Sequence, residues 1–275
     1  MSGSLSISIV VYHLDSSVLK RLLTSLAQAV RTAQEAGCLN TATLTLVDNA
    51  EDDRNESTLA ALLEEQAPTP WQATLETGHG NIGYGRGHNR VISEADSDFH
   101  LILNPDVFLA PDALAVALAH FGTHPHTVAV APAITDGEGR REYACKRYPS
   151  VLDFLLRGFA PAFLRRRFSS RLARYEMQDL PDDRPTQDIP IISGCCMLFR
   201  SAALRELGGF DPRYFLYFED FDLSMRAHPP GPLTYLPDMH ITHLGGNSAR
   251  KGLRHILLFA RSGVRFFRDH GWRWW

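Results

Sequence analysis

The chain has 275 residues, a net charge of -3 and four cysteines. This length suits one large domain or two small ones with a substantial buried core. The apolar runs are interrupted well before the roughly 20 residues that a membrane span needs, and the N-terminus lacks the features of a secretory signal. Cys195 and Cys196 are adjacent, and no cysteine spacing fits a metal site. We therefore expect a cytoplasmic protein with reduced cysteines.

Lysine and arginine are concentrated in two segments. Residues 146–174 contain eight of them with one acid, Asp153, and residues 249–275 contain seven with one acid, Asp269. The remainder of the chain is acidic. This distribution indicates an anionic partner or surface.

Strands and helices alternate over the first 135 residues. Apolar β-branched runs predict strands at 5–13, 41–50, 71–78, 99–109 and 127–134, and helical spacing predicts helices at 16–37, 56–67, 87–95 and 110–125. This alternation predicts an α/β fold, with a mostly parallel central sheet and helices on both faces. Ligands of such sheets bind beyond the carboxyl ends of the strands.

The alternation stops after residue 140. Residues 148–177 are apolar and basic with helical stretches, residues 179–188 form a loop, and a strand at 189–200 and a helix at 201–209 follow. We interpret 140–188 as a basic helical insertion between a nucleotide-binding half at 1–135 and a catalytic half at 189–248. Residues 249–275 form a basic aromatic C-terminal helix.

The stretch "NIGYGRGHNR", residues 81–90, contains three glycines and no apolar periodicity. It is therefore predicted to be a loop rather than a core helix. It lacks the Lys-Ser/Thr of a phosphate-binding P-loop, and its glycines do not follow G-x-G-x-x-G. Its backbone and Arg86 could contact a phosphate or a sugar, or the stretch could simply be a turn.

Three further motifs carry groups that can perform chemistry. Asp106 in "LNPDV" follows an apolar strand and could hold Mg²⁺ or Mn²⁺, although Asn-Pro-Asp is also good turn chemistry. Glu219, Asp220 and Asp222 lie among aromatic residues, where a carboxylate could act as a general base; an acidic helix start is the alternative. His243 precedes a glycine pair and could bind a metal or phosphate, or be purely structural.

These motifs, in this order, resemble those of family 2 glycosyltransferases, especially the bacterial rhamnosyltransferase-like branch. The matching segments span residues 6 to about 250 and are "SIVVYH", "TLVDNA", "NIGYGRGHN", "LILNPDV", "ISGCCMLFR", "GGFDPRYFLYFEDFDLSMR" and "HITHLGGNS". The resemblance implies a GT-A fold over residues 1–248 and inverting transfer of a sugar from a nucleotide diphosphate donor.

The resemblance also implies roles for individual residues. Asp220 matches the catalytic base, with Glu219 and Asp222 as supporting or acceptor-binding acids. Asp106 and His243 match the ligands of a divalent cation, Mg²⁺ or Mn²⁺, and Asn104 replaces the first acid of an Asp-x-Asp motif. The implied donor-binding residues are Val11, Tyr12, Asp48, Asn49, Gly83, Gly85, Arg86, Asn89 and Asn104.

The function implied is transfer of L-rhamnose from dTDP-L-rhamnose to a glycan or lipid-linked acceptor, in polysaccharide or lipopolysaccharide assembly. A UDP-hexose donor and a non-catalytic nucleotide-sugar-binding subunit are the alternatives. Basic helices with aromatic residues are typical of contact with an anionic membrane, in this case its inner face, although a solvated face or a dimer contact would look the same. No nucleic-acid-binding module is recognisable.

Overall fold

The structure is a computed structural model that describes residues 2–65, 70–158, 160–245 and 252–275. Three predicted features therefore extend beyond the described residues. They are the end of the helix predicted at 56–67, the end of the glycine motif after His243 and the boundary predicted at 248/249. All four cysteines are free thiols.

The strands are β1 Gly3–Val11, β2 Leu39–Asp48, β3 Gln72–Glu76, β4 Phe99–Leu103, β5 Val107–Leu109, β6 Ala129–Thr135, β7 Arg141–Glu142, β8 Cys196–Arg200 and β9 Leu233–His243. The helices are α1 Ser16–Glu35, α2 Glu56–Glu65, α3 Tyr84–Ile92, α4 Ala113–Thr123, α5 Val151–Gly158, α6 Ala162–Arg167, α7 Ser169–Tyr175, α8 Ser201–Glu206, α9 Glu219–Ala227 and α10 Leu253–His270. The predicted α/β class is confirmed.

The strands form one sheet in the order β3-β2-β1-β4-β8-β6-β9-β5, with β7 paired to β6. The first four strands of this order are parallel, because a helix follows each of β1, β2 and β3 and returns the chain to the same edge. The later strands are mixed, since β8 runs antiparallel to both β4 and β6. The parallel half therefore gathers the carboxyl ends of β1, β2 and β4 at one edge.

Two sequence predictions on strands are corrected. The segment predicted as one strand at 99–109 is two, because Asn104–Asp106 turns the chain from β4 to β5, which pairs with β9 at the far edge. The strand predicted from residue 189 begins only at Cys196. Backbone hydrogen bonds join Lys146 to Ile191 in both directions, so the residues before β8 pair with the start of the basic insertion.

Helix α1 shows how the sheet is covered. Its apolar face is completely buried at Leu19, Leu22, Leu23 and Leu26, as expected for an amphipathic helix packed on a sheet. Its N-cap is Asp15, whose carboxylate accepts hydrogen bonds from the amides of Ser17 and Val18.

An aromatic cluster holds the C-terminal helix against the catalytic half. Phe266 and Phe267 of α10 are buried with Phe218, which precedes α9, and Phe154 of α5 packs edge-on against Phe218. Edge-to-face rings of this kind add to the stabilisation from burial alone. Helix α10 is thus part of the same packed body as α9, and no helix in the described part of the chain is long and apolar enough to cross a membrane.

Candidate active site

The carboxyl ends of β1 and β2 carry a buried polar pair. The Asp48 carboxylate accepts hydrogen bonds from the amide of Ala50 (3.1 Å) and the side chain of Asn55 (3.0 Å). The amide of Asn49 donates to the carbonyl of Val11 (2.7 Å), and its side-chain oxygen accepts from the amide of Ile82 (3.2 Å). Asn49 thereby ties both strands to the loop before α3.

Tyr12 lies at the mouth of this polar pair. Its ring is 40% exposed and packs against the ring of His13, with 4.3 Å between the centroids. An exposed ring directly after a buried strand can stack on another planar group. Val11, Tyr12, Asp48 and Asn49 are therefore gathered at one edge of the sheet, as their sequence positions predict.

The glycine-rich stretch does not form the predicted loop, because residues 84–92 are the helix α3. The stretch lacks apolar periodicity because its buried positions are Gly83, Gly85, Gly87 and His88, and the glycines allow close packing instead of filling space. A Cβ on Gly85 would lie 2.8 Å from Cβ of Phe210, and one on Gly87 would lie 2.9 Å from Val10. The helix therefore lies directly against β1 and against the segment that leads to α9.

Polar side chains of α3 bind that same segment. The Asn89 side chain accepts from the amide of Phe210 (2.8 Å) and donates to its carbonyl (2.7 Å). Arg86 donates to the carbonyl of Pro212 (2.8 Å). Gly85, Arg86 and Asn89 thus support the segment that leads to α9, and their predicted contacts with the donor stay a prediction.

Gly83 is the position where the stretch requires glycine. Its φ is +91°, and a Cβ there would lie 2.4 Å from the carbonyl oxygen of Phe215. That carbonyl accepts from the amide of Tyr84 (3.1 Å). A side chain would therefore be strained and would separate α3 from residue 215.

We predict that Gly85→Ala lowers the thermal stability of the protein. The new methyl group would meet Phe210 inside well-packed surroundings, and overpacking of this kind costs about 1–3 kcal/mol. Gly122→Ala is the matched control, because Gly122 also lies in a helix but has open space around its Cβ position. We expect Gly122→Ala to stabilise the protein slightly. Equal melting temperatures for Gly85→Ala and the wild type would contradict the close packing of α3 against Phe210.

A second cluster forms where β5 and β9 pair. Val107 is the register partner of His243, which brings Nε2 of His243 to 3.5 Å from Oδ1 of Asp106. Nδ1 of His243 lies 3.4 Å from the carboxylate of Glu142 in β7. Burial opposes protonation of His243, but the two carboxylates outweigh it and raise its pKa. Glu142 was missed from the sequence, because only the pairing of β7 with β6 brings it to this cluster.

This cluster has the donor chemistry of a divalent-cation site. Carboxylate oxygens suit Mn²⁺ and Mg²⁺, and neutral imidazole is a common nitrogen ligand of metal ions. The 3.5 Å between Asp106 and His243 is near the spacing of about 3 Å expected for neighbouring ligands at about 2.1 Å from one ion. Among the described residues no three His, Cys, Asp or Glu side chains form a complete metal cage, so the remaining ligands would come from elsewhere.

The acidic motif opens helix α9 in a strained conformation. Tyr217 and Phe218 have φ values of 69° and 66°, a region that aromatic residues seldom occupy. Phe218 is held there by packing against Phe266 of α10. Strain in consecutive residues is characteristic of functional sites, and in this chain it precedes Glu219 and Asp220 directly.

Glu219 and Asp220 have different surroundings. Glu219 is buried, and its Oε2 has no hydrogen-bond partner among the described residues. Burial and then the neighbouring Asp220 raise the pKa of Glu219 to about 8. Asp220 is only partly buried, and its two oxygens accept from the amides of Gly194 (2.9 Å) and Phe221 (3.0 Å). The backbone therefore fixes the orientation of this partly buried carboxylate.

The pKa of Asp220 is also raised. Burial is the main cause, while the two amides and the nearby Lys146 ammonium oppose it. Lys146 has its own pKa lowered to about 8, mainly by burial. Lys146 was not identified from the sequence, where it is one of many basic residues in the insertion. A carboxylate with a raised pKa is a better proton acceptor than a fully solvated one.

The acid motif and the cation cluster meet around Cys195. The carbonyl of Cys195 accepts from the amide of Asn104 (2.9 Å), and the preceding residue, Gly194, donates to Asp220. Burial raises the pKa of the Cys195 thiol to about 12, and the carboxylates of Asp106, Asp220 and Glu142 add to this effect. The carboxylates predicted from separate motifs are thus brought together.

Asp222 does not belong to this group. Its side chain is 2% exposed, and its two oxygens bind Nε of Arg226 and Nε2 of His270, each at 2.8 Å. These contacts give Asp222 a structural role, and its predicted part in supporting catalysis or binding the acceptor stays a prediction. Asp222 joins α9 to α10.

Replacement of Glu219 by glutamine is expected to change how stability depends on pH. The folded pKa of about 8 exceeds the ordinary value of 4.5, so the folded protein keeps a proton that the unfolded chain releases. This group consequently lowers stability as pH rises from 4.5 to about 8. We expect the melting temperature of Glu219→Gln, relative to wild type, to increase between pH 5 and pH 8 in thermal unfolding. A difference in melting temperature that stays constant from pH 5 to pH 8 would contradict the raised pKa of Glu219.

Comparison with known proteins agrees with this geometry. The family model described as "Glycosyl transferase family 2" matches residues 6–208. The N-acetylglucosaminyl-diphospho-decaprenol L-rhamnosyltransferase of Mycobacterium tuberculosis is 30% identical over 214 residues, which cover 73% of this chain and 68% of that protein. Rhamnosyltransferase WbbL of Escherichia coli is 26% identical over 180 residues, 61% of this chain and 63% of that protein.

Solved structures share the fold. The mannosyltransferase PcManGT from Pyrobaculum calidifontis, in complex with GDP-Man and Mn²⁺, superposes with a TM-score of 0.64 at 16% identity, over 98% of this chain and 64% of that one. GalNAc-T7 with UDP, GalNAc and Mn²⁺ gives 0.66 at 14% identity, over 97% and 48%. The chain has the GT-A fold and belongs to glycosyltransferase family 2, with relatives named as rhamnosyltransferases.

Proposed function

We propose that this glycosyltransferase moves L-rhamnose from dTDP-L-rhamnose to a hydroxyl of a lipid-linked glycan, with inversion, in the assembly of a cell-surface polysaccharide. The observation that carries the proposal is the partly buried, backbone-oriented carboxylate of Asp220 beside the Asp106–His243 cluster. The rhamnosyltransferase names of the relatives support the choice of donor sugar and of a lipid-linked acceptor.

Asp220 is the proposed general base. Its raised pKa favours removal of the acceptor hydroxyl proton as that oxygen attacks the anomeric carbon. The bond to the leaving nucleoside diphosphate breaks on the opposite face, so a single displacement inverts the anomeric centre. No covalent sugar intermediate is needed, and hence no second carboxylate nucleophile is required.

Asp106 and His243 are the proposed protein ligands of Mg²⁺ or Mn²⁺, with Asn104 beside them. A bound cation would neutralise charge on the departing diphosphate. Val11, Tyr12, Asp48 and Asn49 form the proposed site for the base and ribose, since they are gathered at the carboxyl ends of β1 and β2. Gly83 is proposed to let the backbone approach the donor.

The proposal is tested by incubating the protein with dTDP-L-rhamnose or a UDP-hexose, a prenyl-diphosphate-linked sugar, and Mn²⁺ or EDTA. We expect a rhamnosylated product from dTDP-L-rhamnose with Mn²⁺ and much less with EDTA. Product from a UDP-hexose alone would overturn the donor assignment. Donor binding without transfer or hydrolysis would favour a non-catalytic subunit.

We also propose that the solvent face of α10 lies on the inner surface of the cytoplasmic membrane. Arg254, Leu257, Arg261, Val264 and Arg268 recur at helical spacing and are all exposed, Leu257 by 70%. Alternating basic and apolar groups on one face suit an interface of anionic headgroups and acyl chains. Trp274 and Trp275 are exposed just beyond the helix.

Flotation with anionic vesicles is expected to recover the wild type but much less of a Leu257→Gln/Arg261→Gln variant. Exposed positions are chosen because truncation within α10 would remove the buried Phe266 and Phe267. Arg31→Gln on α1 is a control on a different helix. Equal recovery of the double variant and the wild type would contradict membrane contact through this face.

A further inference from the structure

A basic cavity of about 580 Å³ lies between the helical insertion and the C-terminal tail, which is residues 271–275 after α10. Arg147, Arg171 and Arg174 line it from the insertion, and Arg273 and Trp275 line it from the tail. Neither the proposed donor site nor the proposed cation site includes any of these residues. Four arginines around one cavity are a recognised arrangement for binding phosphate groups.

The cavity walls are held by backbone contacts. The carbonyls of Arg273 and Trp274 accept from the amides of Val151 (2.8 Å) and Leu152 (3.2 Å), which open helix α5. The Tyr148 hydroxyl donates to the carbonyl of Gly271. The tail is therefore bound to the insertion, and the arginines from both segments line one cavity.

Two of the four arginines form ion pairs. Arg171 binds the buried Asp153 (2.7 Å), and Arg147 binds Asp179 through both terminal nitrogens (2.9 and 2.7 Å). Among the described residues neither Arg174 nor Arg273 has a carboxylate within ion-pair distance. The cavity therefore keeps a net positive charge that an anion could neutralise.

Packed residues connect the wall of the cavity to the proposed catalytic base. Tyr175 lines it and packs against Phe154, whose ring contacts Phe221, the residue after Asp220. The backbone amide of Arg147 donates to the carbonyl of Tyr175 (2.9 Å). Arg147 also follows Lys146, whose ammonium acts on the Asp220 carboxylate. The cavity wall is therefore connected to the surroundings of Asp220, whose carboxylate also acts on the Tyr175 hydroxyl.

Exposed apolar groups lie on the same insertion and tail. Leu155 of α5 and Phe163 of α6 are 51% and 70% exposed, and Trp275 is 81% exposed. Apolar side chains beside a basic cavity suit a ligand that joins a charged group to a hydrocarbon chain. A soluble phosphate would make no use of them.

We propose that this cavity binds the diphosphate of a prenyl-diphosphate-linked acceptor, with Arg174 and Arg273 as its main contacts. The proposal deepens the proposed function and rests on it for the identity of the acceptor. The sugar of the acceptor would extend from the cavity to Asp220, and the prenyl chain would extend over Leu155, Phe163 and Trp275 toward the membrane.

Transfer kinetics with two acceptors test the proposal. One acceptor carries the sugar on a farnesyl diphosphate, and the other carries the same sugar on an uncharged alkyl chain. Arg174→Gln and Arg273→Gln are each expected to raise KM for the diphosphate acceptor by roughly tenfold or more, which is the effect of losing a charge-assisted hydrogen bond. KM for the uncharged acceptor should not change. Equal changes in KM for both acceptors would overturn the proposal.

Arg184→Gln is the matched control, because Arg184 is an exposed arginine whose nearest acid, Asp183, is 3.8 Å away. It should leave both KM values at those of the wild type. The tail backbone is retained in Arg273→Gln, so its bonds to Val151 and Leu152 can still form. If Arg184→Gln raised KM for the diphosphate acceptor as much as Arg174→Gln does, the effect would come from the net charge of the protein. That result would overturn the proposed site.

Direct measurement of ligand binding tests this site independently of the proposed sugar transfer. Farnesyl diphosphate and inorganic pyrophosphate are titrated in EDTA, with tryptophan fluorescence as the readout, so that a cation-dependent donor site does not contribute. We expect farnesyl diphosphate to bind the wild type and to bind Arg174→Gln/Arg273→Gln at least tenfold more weakly. Pyrophosphate that binds as tightly as farnesyl diphosphate would overturn the lipid assignment. An enzyme that transfers no sugar but shows this difference would overturn the proposed function alone.

Discussion

Asp220→Asn is expected to reduce the rate of sugar transfer by about a thousandfold, because a positioned general base contributes roughly 10²–10⁴ in rate. Asparagine has nearly the same shape and keeps an oxygen that can accept from the amide of Gly194, but it cannot take up the acceptor proton. The measurement is kcat for transfer, together with calorimetric titration of dTDP. We expect nucleotide affinity and melting temperature close to those of the wild type.

Glu219→Gln is the matched control for this loss. The two acids are adjacent, but Glu219 is buried while Asp220 is partly exposed. With a pKa raised to about 8, Glu219 is largely protonated at neutral pH, and glutamine resembles that neutral form. We expect this variant to retain most of the activity. A large loss in Glu219→Gln with retained turnover in Asp220→Asn would reverse the assignment of the base.

Asp222→Ala is expected to lower the free energy of unfolding by about 3 kcal/mol, the effect of removing one partner from a buried charged pair. The substitution would leave Arg226 and His270 without the carboxylate that both of them bind. It would also remove the polar link between α9 and α10. Urea denaturation measures this effect.

Asp269→Ala is the control, since Asp269 lies near the end of α10 and also binds an arginine, but at the protein surface. Its partner Arg213 lies 2.9 Å away and is half exposed. Exposed pairs of this kind contribute about 0–1 kcal/mol. Similar losses of stability in the two variants would contradict the distinction between a buried junction and a surface ion pair.

The sequence predicts best those residues whose position follows from local pattern. Asp48 and Asn49 follow an apolar strand, so their place at the edge of a parallel sheet is set by topology alone. His243 ends a strand for the same reason, and its contact with Asp106 depends only on the pairing of β5 with β9. Glu142 and Lys146 reach the site through long-range pairing, which no nearby residue reveals.

Residues 81–90 show where pattern reading fails. Period-based prediction expects a buried helical face to be apolar, whereas α3 buries Gly85 and Gly87 and packs by close approach. The sequence alone could not distinguish glycines that make a loop flexible from glycines that let a neighbouring side chain pack closely against a helix. Asp222 is a similar case, because its partner His270 lies 48 residues further along the chain.

The configuration of the transferred sugar tests the central claim most directly. Proton NMR of the product formed from dTDP-L-rhamnose would compare the anomeric centre with that of the donor. One general base acting in a single displacement predicts a product of inverted configuration, formed only when Asp220 is intact. A product of retained configuration, or inverted product formed equally well by Asp220→Asn, would contradict this mechanism.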